Sequence, residues 1–344
     1  MQNHRFHSSI PENPETRAFS EETHTPEDLR RGEMAYFKAE AGKCEQFAYQ
    51  ALYKARGERQ HETENKALFL LLRRALWFGD YAKIQALFKQ MEAQLHITEY
   101  ADRHMLHDLE MGWFHAMIGC PDRIAEWLKT GPDKRAAAPA AQGHDILIRA
   151  RHGLCLGKHR ETLDFLAAEK GDPCVRSFVT GHITLRLLEA MCLFRAGERA
   201  GARDALRESY HMARPQALDM PFIEFGRDMC RLAGAVIRDG NGGIPQAWLE
   251  KIRKKSAAYA KQSLFVASEY SREHGGEGLA PALTRGELAI LTDICHGLPR
   301  AEIAAAHGMS DHTLRAVQQI LFAKLGARNH ADVIRIAVSR KLVK

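Results

Sequence analysis

Arg315 and Gln319 stand four residues apart in the segment 311–325, with Ala316 between them. A guanidinium offers two parallel donors that match O6 and N7 of guanine. A carboxamide matches N6 and N7 of adenine, and a small apolar side chain packs on the methyl of thymine. One helical turn apart, these groups would present that chemistry on a single face. The charge around them fits a polyanion. From residue 280 onward the chain holds nine Lys/Arg against five Asp/Glu, so four of its six net positive charges lie in the last 65 residues. A basic module on a near-neutral body predicts a nucleic-acid partner.

Other chemistries lack their residues. The chain has no H-E-x-x-H, no G-x-S-x-G, no dinucleotide glycine fingerprint and no G-x-x-x-x-G-K-[ST]. His104 and His107 share a helix face beside Asp108, which predicts surface side chains rather than a metal site. Neither an enzyme nor a cofactor is expected. The seven cysteines contain no C-x-x-C pair and read as reduced, mostly packing thiols. No run approaches 18 uncharged apolar residues and the N-terminus has no apolar signal core, so a cytoplasmic protein without membrane contact is expected.

The reading face needs a scaffold, and residues 283–340 supply one. Thr284 and Glu287 have the spacing of a capping box, and Leu288, Leu291 and Ile294 form the apolar stripe of the helix they open. Gly297 ends it. A second helix is predicted over about 299–307, with Pro299 in its first turn. Ser310 caps a third, over about 311–325, with Asp311 in the favourable first turn. Ala304, Gly308, Leu314 and Val317 fall at offsets 0, 4, 10 and 13. A helix-turn-helix requires a small residue where two helices cross, a positive-φ turn, and two inner-face anchors in the second helix, in that order. A last helix over about 330–340 carries Val333, Ile334, Ala337 and Val338 on one side.

Residues 283–340 resemble the LuxR/GerE family. The strings that carry the resemblance are Leu283-Thr284, Glu287, Leu291, Gly297-Leu298, Glu302-Ile303-Ala304, Ser310, Thr313-Leu314-Arg315, Lys324-Leu325-Gly326 and Arg328-Asn329. The resemblance implies that the outer face of 311–325 enters the major groove. Arg315 is then the first candidate for base readout, with Gln319 and Ala316 beside it. Thr313, Lys324 and Arg328 suit phosphate contacts, as do Arg300 and His312 less directly. It also implies pairing of two modules through the final helix, hence a homodimer on an inverted repeat in double-stranded DNA. Four positions depart from the family pattern: Gly286 and Ala301 replace basic residues, Val317 replaces a His, and Pro299 replaces a Ser cap. Gly286 costs about 1 kcal/mol of helix propensity relative to Ala. Fewer basic side chains predict fewer phosphate contacts and a flatter salt dependence.

The rest of the chain is periodic. Turns centred on Ala39, Gly79, Gly119, Gly157 and Gly197 recur at spacings of 40, 40, 38 and 40 residues. Nine residues after each centre come Ala48, Phe88, Leu128, Leu166 and Leu206. Apolar steps between the turns are helical, as in Leu68, Leu71, Leu72 and Ala75. Each helix pair cannot bury its apolar face alone, so neighbours must stack. Roughly residues 27–240 resemble the tetratricopeptide-like sensor region of MalT-like regulators. That resemblance implies a superhelix with a concave surface for an inducer or a partner protein, and longer relatives carry an ATPase module upstream. Trp77, Trp113 and Trp127 would line that surface or pack between helices.

The expected fold is all-α: a TPR-like helical-repeat superhelix followed by a four-helix LuxR-type helix-turn-helix domain. Residues 1–25 read as a disordered lead-in, 26–272 as the repeat domain, 273–282 as a Gly-rich linker and 283–344 as the DNA-binding domain. The expected function is promoter binding controlled by a ligand or partner on the repeats. The rival is an adaptor that binds proteins and whose helix-turn-helix has lost useful DNA affinity.

Overall fold

The computed structural model describes residues 26–131, 143–169, 171, 178–274, 283–339 and 342–343. The lead-in over 1–25 and most of the predicted linker lie outside the described residues. Among those described there are seventeen α-helices and no strand.

Five helical hairpins begin the chain: α1 (Glu27–Phe37) with α2 (Ala41–Glu58), α3 (His61–Phe78) with α4 (Tyr81–Gln94), α5 (Arg103–Met117) with the short α6 (Glu126–Thr130), α7 (His144–Cys155) with α8 (His159–Glu169), and α9 (Val179–Ala196) with α10 (Arg199–Ala213). The five predicted turn centres sit at these hairpin turns, and all are left-handed: Ala39 φ 59°, Gly79 φ 70°, Gly119 φ 72°, Gly157 φ 72° and Gly197 φ 88°. Each turn is closed by the same long backbone hydrogen bond. The amides of Glu40, Asp80, Cys120, Lys158 and Glu198 donate to the carbonyls of Ala35, Ala75, His115, Gly153 and Leu193, at 2.8–3.0 Å. This bond satisfies helix-end carbonyls that would otherwise lack partners.

Ala39 carries a Cβ where the other four turns have none, and left-handed backbone costs an L-residue roughly 1–2 kcal/mol. Ala39→Gly is therefore expected to stabilise the protein by about 0.5–1 kcal/mol, after glycine's greater freedom in the unfolded chain is subtracted. A raised urea midpoint at unchanged slope is the check.

The first helices of the pairs stack on one another: α1 touches α3, α5 touches α7, and α7 touches α9. Three further helices follow: α11 (Met220–Ile223), α12 (Gly226–Arg238) and the 29-residue α13 (Gln246–His274). They pack on the inner layer. Helix α11 meets α1 and α9, and α13 crosses α3. The stripe Leu249, Ile252, Tyr259, Val266 and Tyr270 on α13 is buried in this contact. The inner surface implied to be open for a partner is thus largely covered by the chain's own helices, because α13's apolar stripe needs that cover. Trp113 is 9% exposed and sits edge-on to Phe69, while the indole of Trp127 donates to Asp108 at 2.8 Å.

The end of α13 is pinned to the inner layer. Glu273 accepts from the Tyr81 hydroxyl at 2.5 Å and from Gln85 at 2.6 Å. Arg123 donates to the Tyr270 hydroxyl at 3.2 Å and to the His274 carbonyl at 3.0 Å. The Tyr270 hydroxyl also meets His115 Nε2 at 2.9 Å. Burial pushes the His115 imidazole down to about 3, with the Arg123 and His274 charges adding, so the ring is neutral at pH 7. Helix α13 runs two residues into the segment read as linker.

Four helices close the chain: α14 (Arg285–Cys295), α15 (Arg300–Ala306), α16 (Asp311–Leu325) and α17 (His330–Ser339). They enclose their own apolar core of Ile290, Leu291, Ile294, Ile303, Leu314, Leu321, Leu325, Val333 and others, distinct from the larger core that runs from Leu29 to Tyr270.

Candidate nucleic-acid interface

Helix α16 has the bounds expected for the reading helix, and its start is set by side chains. The Ser310 hydroxyl accepts from the Thr313 amide at 3.1 Å and lies 2.9 Å from the Thr313 hydroxyl. At its other end Gly326 adopts φ 68° and lets the chain turn. The crossing with α15 has the expected parts. Ala304 is 7% exposed, Gly308 has φ 58°, Leu314 is fully buried, and Val317 is half-buried against the same core. Pro299 stands just outside α15 as its N-cap rather than in the first turn.

With Leu314, Leu321 and Leu325 turned inward, Arg315, Ala316, Gln319 and His312 are exposed on the outer side of α16. Arg315 keeps 62% of its side-chain surface and pairs loosely with Asp311 at 2.9 Å. An exposed pair of this kind is worth little and yields readily to a better acceptor. Thr313 and Arg300 are also exposed. Arg328 is 77% exposed and pairs with Asp332 at 3.1 Å.

Lys324 is placed differently. Its ammonium lies 2.7 Å from Glu287 Oε2, and only 23% of its side chain is exposed. The same carboxylate oxygen accepts from the Thr284 amide at 2.8 Å, while the Thr284 hydroxyl accepts from the Glu287 amide at 3.2 Å. The expected capping box is therefore complete and also ties α14 to the end of α16. Burial acts to raise the Glu287 carboxyl, but the Lys324 charge and the Thr284 donors outweigh it and hold the group below its ordinary range. Sequence reasoning placed Glu287 in the cap and missed its second partner, 37 residues away. A carboxylate that must be half-buried to cap a helix next to a core was the available signal that it needed a cation.

One flank of α16 faces the repeat body. Helix α13 packs against α16, and a Cβ at Gly326 would lie 3.4 Å from the Arg272 amide. The Lys324 charge is felt at Cys120 and Cys155 in the third and fourth hairpins. Ile320 is 7% exposed yet lies outside the core of the four-helix unit. The covered flank is about a quarter-turn or more from the Arg315–Gln319 face, from the 100° step between helical residues.

Comparison with known proteins agrees with this geometry over the same segment. Residues 281–337 match the family described as bacterial regulatory proteins, luxR family. The chain is 43% identical over 63 residues to the response regulator RamR of Streptomyces coelicolor (strain ATCC BAA-471 / A3(2) / M145), a match covering 18% of this chain and 31% of that protein. The chain thus matches under a third of that relative's length. No solved structure matches. Among the described residues no helix is long and apolar enough to cross a membrane. The four helices α14–α17 are a LuxR-family helix-turn-helix domain at the C-terminus of the chain.

Proposed function

We propose that the protein is a DNA-binding transcriptional regulator in which the helical-repeat region senses a small molecule or a protein partner and thereby controls promoter binding. The observation that carries this reading is the outer face of α16: a capped helix that holds Arg315 and Gln319 outward, one turn apart, from a buried row of leucines. In this reading Arg315, Gln319 and Ala316 meet base edges, and Thr313, Lys324, Arg328, Arg300 and His312 meet phosphates. Two separate apolar cores support a division near residues 273–282 between the repeat domain and the reader. Leu288, Ile334 and Val338 are exposed at 39%, 38% and 62% on the paired helices α14 and α17, which supports a homodimer through that face.

Control is supported by the contact between α13 and the flank of α16. A shift of α13 against the inner layer would move or release the reading helix. The test is binding of the full chain to random duplex as salt is raised. A steep linear fall of log affinity with log salt supports the reader, through counterion release. Absence of binding at low salt supports the adaptor instead.

A further inference from the structure

Glu224, between α11 and α12, is the meeting point of helices far apart in sequence. Its Oε1 accepts from the Tyr36 hydroxyl of α1 at 2.7 Å and from Arg73 of α3 at 2.9 Å. Arg151 of α7 reaches its Oε2 only at 3.7 Å, beyond hydrogen-bond length. Tyr259 of α13 is 1% exposed, and its hydroxyl has no hydrogen-bond partner although it lies within the field of Glu224, Arg151 and Arg73. Arg73 Nε is unpartnered as well.

The charges do not balance. Two guanidinium groups share one carboxylate here. The other acid that Arg73 feels, Glu33, is pushed up by burial toward its neutral form, with Lys66 also facing it. The excess is positive and deep inside the protein. The Arg73 guanidinium lies over Tyr36 at 4.3 Å and Trp113 at 5.4 Å, enclosed by the inner helices, yet 16% of its side-chain surface stays open. An enclosed side chain with open surface faces an interior recess. Buried polar groups in native proteins find partners, and here the unpartnered ones are two donors, Arg73 Nε and the Tyr259 hydroxyl, beside an under-paired guanidinium.

We infer that this recess is a binding site for a small carboxylic acid, held as its carboxylate by Arg151, Arg73 and the Tyr259 hydroxyl, with its apolar body against Trp113. A carboxylate presents two coplanar acceptors that match a guanidinium fork, and one added negative charge cancels the excess. The inference deepens the sensing role proposed above and rests on it for its biological meaning. It also supplies a route: Tyr259 lies on the helix whose last turn touches α16, roughly 18 Å further along its axis at 1.5 Å per residue.

The test is thermal unfolding of the full chain titrated with sodium acetate, phenylacetate and benzoate, with sodium chloride and neutral benzamide as controls. The expected result is a saturable rise in Tm with at least one carboxylate and none with benzamide. Tyr259→Phe removes only an unpartnered hydroxyl, so it should fold with unchanged or higher stability while weakening the carboxylate response about tenfold. Arg151→Met should abolish the response. A shift equalled by chloride, a Tyr259→Phe protein that responds like the parent, or no response to any of the three carboxylates overturns the site. None of these readouts involves DNA, so loss of the site and loss of the regulator reading are separate outcomes.

Discussion

Glu224→Leu is expected to lower the stability of the repeat domain by about 3–5 kcal/mol, because it leaves Arg73 and Arg151 buried without a counter-charge. The Glu224 side chain is 4% exposed, so little solvent screening relieves the loss. The Tyr36 hydroxyl, fully buried, loses its acceptor in the same step. Glu224→Gln keeps an acceptor for Tyr36 and Arg73 and should fall between the two proteins. Urea unfolding followed by circular dichroism measures both, with the four-helix reader monitored separately by its DNA binding. A loss below about 1 kcal/mol for Glu224→Leu would mean that the two guanidinium groups reach water or another acceptor in solution, and the node would then not hold the inner layer together.

Arg315→Ala and Lys324→Ala should separate reading from positioning. Arg315 is 62% exposed and touches only Asp311, so its removal should leave folding intact. It should cost about 1–3 kcal/mol at one base pair and relax preference there. Lys324→Ala should weaken binding to all sequences about equally and reduce the salt slope by about one. The structure adds a consequence that the sequence did not suggest. Glu287 is 10% exposed and would lose its cation, so Lys324→Ala should also destabilise the reader by about 1–3 kcal/mol. DNA affinity and domain Tm must therefore be measured together. Equal affinity and preference in both variants would place the DNA on another face of the domain.

The contrast between Arg315 and Lys324 shows how far sequence carried the site. Both were chosen as basic residues on one helix. Helical periodicity placed Arg315 correctly on the outer side, because Leu314, Leu321 and Leu325 fix the rotation of α16 locally. Periodicity says nothing of what approaches from another helix, so the pairing of Lys324 with Glu287 was invisible. Glu224 was hidden in the same way. An acid within the apolar run Met220–Phe225 signals a buried partnered charge, but its partners lie 188 and 151 residues earlier in the chain.

What the sequence determined by itself was every feature whose cause lies within a few residues: the five left-handed turns at forty-residue spacing, the capping box at Thr284, and the Ser310 cap that starts the reading helix. These follow from backbone sterics and short-range hydrogen bonds, which the order of residues encodes directly. Only the tertiary structure decided that α13 covers the inner layer and reaches α16, that Glu224 gathers three helices, and that the reader rests one flank on the repeats. Those arrangements depend on which apolar stripes and buried charges meet in space, and residue spacing along the chain does not specify such meetings.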